Sequence, residues 1–261
     1  MSNQNRILAR SNPALRSAVQ GSGASYRTGV PLKVHDVIHS FGVFMGITVI
    51  VGIISSYVLY PSPSIGSMLA LVLGLIQVAF VFFLSRKPER MSSVSLATTY
   101  AVIEGIFLGA ATNLYAFFPE SGIEDGSALI GKAIIGTVIA FALTVFAYSR
   151  GIIKVTDGYL KTVSIMTLSA LVVYLVSIFA GVFFGLHWLN DGGVLSLVFS
   201  VFCIVTAVMS IVADLFNVDM AIRNGADRSE SVGLALGMII TLTWLYLEIL
   251  RLLRNIAVNN R

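Results

Sequence analysis

The chain has 261 residues, of which 56% are hydrophobic and only 11% are charged, and its formal net charge is +4. Soluble domains carry about 25% charged residues, so this composition excludes a soluble globular protein and indicates an integral membrane protein. The single cysteine, Cys203, excludes a disulfide framework and a Cys/His metal site. The sequence has no contiguous basic stretch suited to a duplex, so we expect no nucleic-acid partner.

The first segment, residues 1–36, is polar and rich in Ser, Gly, Asn and Arg. Such a composition does not bury enough apolar surface to order itself, and the segment lacks the apolar stretch of a cleavable signal peptide. We therefore predict a disordered basic tail at residues 1–36, a transmembrane domain at residues 37–254 and a short C-terminal tail at residues 255–261.

Seven apolar runs follow the tail, each near the length of about 20 residues that a helix needs to cross a bilayer core of about 30 Å. All six prolines lie outside these runs or at their edges, as expected if the runs are helices. The runs are about twice as long as a barrel strand and show no polar alternation. The sequence therefore predicts an all-α bundle of seven transmembrane helices. The runs are residues 40–60, 65–84, 95–118, 130–148, 163–186, 194–214 and 232–253.

Four of the runs carry two glycines one helical turn apart, a spacing that lets helix backbones approach closely. We predict that these glycines pack against helices of the same bundle, and a dimer interface is the less favoured alternative. The pairs are Gly42 and Gly46, Gly105 and Gly109, Gly181 and Gly185, and Gly233 and Gly237.

Lysine and arginine are distributed unevenly between the loops. Five lie in the tail and eight more lie in the segments after runs two, four and six, whereas the opposite loops hold only Lys132. Positive residues favour the cytoplasmic side, so we predict a cytoplasmic N-terminus. Seven crossings would place Arg251, Arg254 and Arg261 outside. Either the last helix tolerates this violation, or it stops short or re-enters and leaves those arginines near a protein-lined interior.

The runs contain the ionisable residues Glu104, Lys132, Asp214 and Glu248, and Arg251 lies near the end of the seventh run. A charge at the bilayer centre costs roughly 2.5–3.5 kcal/mol, so each needs an explanation. Lys132 lies at a helix end, from which its amine reaches the interface. The simplest explanation for Glu104 is a hydroxyl bond from a neighbouring helix, and that for Glu248 is a local ion pair with Arg251, three residues on. The simplest explanation for Asp214, at the end of the sixth run, is an acid at the membrane interface.

The more specific hypothesis takes Asp214, Glu248 and Glu104 together as an ion pathway that also senses protons. Oxygen-only sites suit hard cations such as calcium, and buried acids that lie close together share protons, so that occupancy by a proton or a cation acts as a switch. We predict transient calcium binding at Asp214 and Glu248 and no resident cofactor.

Enzymatic chemistry finds no support in the motifs. The histidines, His35, His39 and His187, lie outside the apolar runs, and neither G-x-S-x-G nor H-E-x-x-H occurs. The seventh run has no lysine for a retinal Schiff base. We therefore predict that the protein is not an enzyme.

Several segments together resemble the Bax-inhibitor-like, or YccA-like, membrane proteins, and most closely their bacterial branch. The resemblance extends from about residue 10 to residue 254 and is most specific in the seventh helix. It is carried by Ser11–Leu15, by Tyr100–Gly109, by Asp214 with Asp219, and by Trp244–Leu253.

This resemblance implies a seven-helix fold in which the other six helices surround the last one. It also implies a calcium-permeable, pH-sensitive leak of the bacterial plasma (inner) membrane in which acids of helices six and seven form a proton-sensing pair. By position these acids are Asp214 and Glu248, and Glu104 matches the third-helix Glu-Gly of the family. Some members have a latch arginine in helix two, where this sequence has only Arg86 at the helix end, so Arg251 and Arg86 are the candidate ion-pair partners.

We therefore expect a pH-modulated cation leak channel, with calcium as the preferred ion, that is gated by buried carboxylates. The alternative is a non-conducting membrane regulator that binds an integral membrane protease, or another membrane partner, through its glycine faces and basic tail. A proton-coupled transporter ranks third, because the sequence shows no inverted repeat and no proline-broken helix pair.

Overall fold

The computed structural model describes residues 29–85, 92–116, 126–186, 188–189 and 191–259. Within them lie seven helices that are long and apolar enough to cross a membrane, which confirms the predicted all-α bundle. The helices are α1 (Val34–Leu59), α2 (Pro63–Ser85), α3 (Val94–Ala116), α4 (Gly126–Ser149), α5 (Asp157–Phe184), α6 (Val194–Arg223) and α7 (Ser231–Asn259), and a short 3₁₀ helix, Arg228–Glu230, precedes α7.

Several helices extend beyond the apolar runs that predict them, because polar residues continue the helix outside the bilayer core. Helix α6 continues past Asp214 to Arg223, and α7 continues to Asn259, into the segment predicted as a C-terminal tail. Helix α5 begins at Asp157, where the Thr156 hydroxyl accepts a hydrogen bond from the Tyr159 amide at 3.2 Å.

Helix α7 lies at the centre of the bundle, which confirms the predicted position of the last helix. It packs against α1, α3, α4 and α6. Its side chains also reach the remaining two helices: Leu247 packs on the cluster that contains Ala70 of α2, and Glu248 bonds Tyr174 of α5. The inward side chains of α7 that are fully buried include Leu236, Ile239, Leu245 and Leu250.

The contact between α1 and α3 depends on two glycines. A Cβ atom at Gly105 would lie 2.7 Å from the Thr48 carbonyl oxygen, and one at Gly109 would lie 2.5 Å from the Gly52 carbonyl oxygen. Both distances are too short for a side chain, so this Gly-xxx-Gly pair packs inside the bundle as predicted. Gly42 and Gly46 differ, since added Cβ atoms there would meet open space. That pair lies on the outer face of α1.

The N-terminal ends of α1 and α7 are joined by what we term the clasp, residues 30–36 with residues 226–228. The Leu32 amide donates to the Ala226 carbonyl at 3.0 Å, and the Arg228 amide donates to the Val30 carbonyl at 2.9 Å. Arg228 Nε lies 2.9 Å from Asp36 Oδ1. The last residues of the predicted tail are therefore held against the bundle, whereas residues 1–28 lie outside the described residues.

The other end of α7 lies beside the connection between α5 and α6. Asn255 Nδ2 donates to the Leu189 carbonyl at 3.3 Å, so α7 runs through the whole bundle and does not re-enter. Seven crossings place three arginines on the side opposite to the other positive residues. Of these, Arg251 is buried within the bundle and Arg254 is half-buried. Arg261 lies outside the described residues.

Candidate functional site

Three acids lie at successive levels along α7, and we call them the acid row: Asp214, Glu104 and Glu248. Asp214 of α6 accepts a hydrogen bond from Thr241, and Glu104 of α3 lies within hydrogen-bond contact of Thr243. Glu248 belongs to α7 itself. At 1.5 Å per residue, the Thr241 and Glu248 levels are about 10 Å apart along the helix, so the three acids follow the axis of α7 and do not converge on one point.

Glu248 has three side-chain donors. Arg251 Nη2 lies 2.6 Å from Oε2, Trp244 Nε1 donates to Oε1 at 3.0 Å, and the Tyr174 hydroxyl donates to the same Oε1. The Glu248 side chain is 4% exposed and that of Arg251 is 2% exposed. The local ion pair predicted from the spacing is thus present, and Tyr174 of α5 completes it from a helix that the sequence did not implicate.

Arg251 is enclosed by aromatic rings as well as by Glu248. Its guanidinium carbon lies 4.9 Å from the centre of the Tyr174 ring and 5.3 Å from that of Phe199, and Nε donates to Ser200 Oγ at 3.3 Å. Ring faces stabilise a cation that has lost its water. Both charges of this buried pair are therefore compensated by direct contacts.

Glu104 is buried and accepts a hydrogen bond from a hydroxyl group, and no cation of the described residues pairs with it. The Tyr100 hydroxyl, one turn earlier on α3, donates to Oε2 at 2.8 Å. The Tyr100 ring in turn stacks on Phe80 of α2, with ring centres 5.1 Å apart. Tyr100 belongs to the same helix as Glu104 and not to a neighbouring helix as expected, and Thr243 of α7 lies close by.

Asp214 has the fewest partners of the three. Thr241 Oγ1 donates to Oδ2 at 2.7 Å, but the same hydroxyl also lies 3.1 Å from the Gly237 carbonyl oxygen, and it has only one hydrogen to donate. Asp214 is half-buried and lines a groove between α5 and α6. Gly237 leaves space beside Oδ1, since a Cβ atom there would still be 3.8 Å away.

The structure does not bring Asp214 and Glu248 into contact, since each bonds different partners at different levels of α7. Three donors already occupy the Glu248 carboxylate, so a calcium ion bridging the two acids does not fit this arrangement. Within the described part of the chain, no group of three or more His, Cys, Asp or Glu is placed to hold a metal ion. Arg86, the other candidate ion-pair partner, lies outside the described residues.

The neutral partners of the acids were not predicted from the sequence. They are Thr241, Thr243, Tyr174, Trp244 and Tyr100. The two threonines carried a signal, because they are hydroxyl residues in the middle of an otherwise apolar run. Tyr174 carried none, since only the packing of α5 determines which of its side chains reaches α7.

One family model matches the chain. Its description is "Bax inhibitor 1 like", and it matches residues 10–258, which include nearly all of the described residues. This match confirms the resemblance inferred from the sequence motifs. Among curated proteins, none matches the chain.

Proposed function

Because the chain belongs to the Bax inhibitor 1 like family, we propose that it is a pH-modulated cation leak of the bacterial inner membrane, with calcium as the permeant ion. The observation that carries this proposal is the acid row, which supplies three carboxylates along the central helix of an otherwise apolar bundle. Asp214, Glu104 and Glu248 are the residues that we assign to the path.

A permeating calcium ion must replace its water by oxygen ligands. The acid row offers such oxygen ligands at successive levels, because a hydroxyl group lies beside each carboxylate. The pairs are Asp214 with Thr241, Glu104 with Tyr100 and Glu248 with Tyr174. Burying carboxylates in an apolar bundle lowers its stability unless they are compensated. Asp214 has the weakest compensation of the three acids, since its one donor is shared with a backbone carbonyl, and this favours a role in transport.

Protons are expected to modulate this path at Glu248. Its ion pair with Arg251 closes the row at the end opposite to the clasp. Protonation removes the charge of the carboxylate and so weakens the pair, which changes both the electrostatics of the path and the contact with Tyr174 of α5. The flux is therefore expected to depend on pH.

Calcium uptake into liposomes that contain the purified protein, measured from about pH 5 to pH 8, tests the proposal. We expect a flux that changes with pH and that the triple variant Glu104→Gln, Asp214→Asn, Glu248→Gln abolishes. The matched control is Asp157→Asn, which neutralises an exposed carboxylate in the first turn of α5 and should retain the flux.

Since Glu248→Gln leaves Arg251 without its counter-charge, a second set of variants adds Arg251→Gln to keep the bundle neutral. No flux above that of empty liposomes at any pH would overturn the proposal. Unchanged flux in a folded triple variant would also overturn it.

The competing function is a non-conducting regulator that binds an integral membrane protease or another membrane partner. One observation favours it: Gly42 and Gly46 form an open face on the outside of α1, where a second helix has room to approach. In that case a membrane partner should co-purify in stoichiometric amount, Gly46→Leu should release it, and neutralising the acid row should leave the association intact.

A further inference from the structure

A groove with a volume of about 400 Å³ separates α5 from α6 near the end of the bundle that carries the clasp. Leu168 on its rim is 60% exposed, so the groove opens sideways, toward the acyl chains of the surrounding bilayer. Its lining is partly polar. The polar residues there are Asp214, Ser164, Thr167 and Ser210, and the adjoining wall is formed by Leu168 and Leu171.

Asp214 is the member of the acid row that lines this groove. Thr241 is its sole hydrogen-bond donor among the described residues, and that bond goes to Oδ2. The ion pairs of the described residues are Arg228 with Asp36 and Arg251 with Glu248, so none of the described cations pairs with Asp214. The hydroxyls of Ser164 and Ser210 donate to carbonyls of their own helices and leave oxygen lone pairs toward a cation.

The groove lies where the apolar run of α5 begins. On α5 it begins at Val163, the first residue of the apolar run, two residues after Lys161. Ser164, Leu168 and Leu171 follow each other at spacings of four and three residues and therefore form one stripe along α5. The stripe runs from Ser164 along the apolar run of α5 to Leu171.

We propose that this groove binds a membrane-dissolved amphiphile with a single ammonium headgroup, such as a long-chain amine, with the ammonium on Asp214 and the hydrocarbon tail along Leu168 and Leu171. The negative charge selects a cation, and the lateral opening lined by leucines selects a hydrocarbon tail. An anionic amphiphile would meet repulsion from Asp214. A small inorganic cation would leave the apolar wall unused.

The proposal shares Asp214 with the proposed leak but does not require that ions be conducted. Equilibrium binding without an ion gradient therefore tests it separately from flux. The probe is a dodecylamine with a photoreactive diazirine in its tail, added to the full-length protein in lipid nanodiscs. Cross-linked peptides are identified by mass spectrometry.

We expect saturable cross-links on residues 163–171 of α5 and on α6 near residue 213, and unlabelled dodecylamine should compete for them. Asp214→Asn should weaken binding by about 10-fold to 100-fold, the range of a charge-assisted hydrogen bond. Ser164→Trp fills the groove from an exposed position and should abolish labelling while leaving Asp214 intact. The exposed Asp157→Asn serves as the charge-matched control and should label like the unaltered protein.

Three outcomes would overturn the proposal. If the Asp214→Asn and Ser164→Trp proteins are both labelled as strongly as the unaltered protein, the probe reports only its own partition into lipid. Competition by dodecanol as strong as that by dodecylamine would show that the groove recognises only an apolar tail. Competition by methylammonium or calcium at the same concentration as dodecylamine would show a plain cation site in which the tail has no role.

Discussion

Glu248 and Asp214 are both carboxylates inside the same bundle, but their surroundings are opposite. Glu248 has an arginine, a tyrosine and a tryptophan as donors and is closed off from the outside. Asp214 has one threonine, shared with a backbone carbonyl, and borders an open groove. The structural role of a membrane-embedded acid therefore depends on its set of partners: Glu248 joins α7 to α5, whereas Asp214 remains available to a ligand.

The strongest test of this difference removes the cation beside Glu248. Arg251→Leu leaves a buried carboxylate without its counter-charge, and we expect the free energy of unfolding to fall by about 3–5 kcal/mol. The double variant Arg251→Leu, Glu248→Leu removes both charges and should cost much less. Unfolding by sodium dodecyl sulfate in mixed micelles, followed by circular dichroism, measures both. A single variant as stable as the double one would contradict this description of Glu248.

The glycines show a similar difference, since Gly109 is packed inside the bundle and Gly46 faces open space. Substitutions there are expected to have an intermediate effect on the free energy of unfolding. Gly109→Ala places a Cβ atom against the Gly52 carbonyl oxygen, and overpacking of this kind costs about 1–3 kcal/mol. Gly46→Ala is the matched control because its Cβ atom meets open space. The control should change the free energy of unfolding by less than about 0.5 kcal/mol. Equal losses in the two variants would contradict the close approach of α1 and α3.

The smallest effect is expected at Asp214. Asp214→Asn keeps the shape of the side chain and an oxygen that accepts the Thr241 hydrogen bond, and the removed charge has no ion-pair partner among the described residues. We expect the free energy of unfolding to change by less than about 0.5 kcal/mol, although the same substitution is expected to affect flux and amine binding. A loss comparable to that of Arg251→Leu would show that Asp214 is a structural residue.

Local sequence patterns were sufficient to predict the elements of the fold. Apolar runs located all seven helices, and the spacing of Glu248 and Arg251 predicted their ion pair. The ends of α6 and α7 were missed because their last turns are polar and lie outside the apolar runs that defined the prediction.

The partners of the candidate site required the tertiary structure. Whether Tyr174 or another side chain of α5 reaches Glu248 depends on how α5 rotates against α6, and both helices are apolar all round in this region. For the same reason the separation of Asp214 from Glu248 could not be predicted. It depends on the relative heights of α6 and α7, which the clasp and the turn before α7 determine.

The clasp between the start of α1 and the start of α7 has a consequence for biosynthesis. Asp36 is among the first described residues to leave the ribosome, yet its partner Arg228 is made roughly 190 residues later. At a synthesis rate of about 5–20 residues per second, this ion pair can form only roughly 10 to 40 seconds after Asp36 has been made. During that interval the membrane holds an incomplete bundle without its central helix, with Glu104 lacking Thr243 and Tyr174 lacking Glu248. The arrival of α7 therefore completes the polar contacts of several earlier helices in one late step.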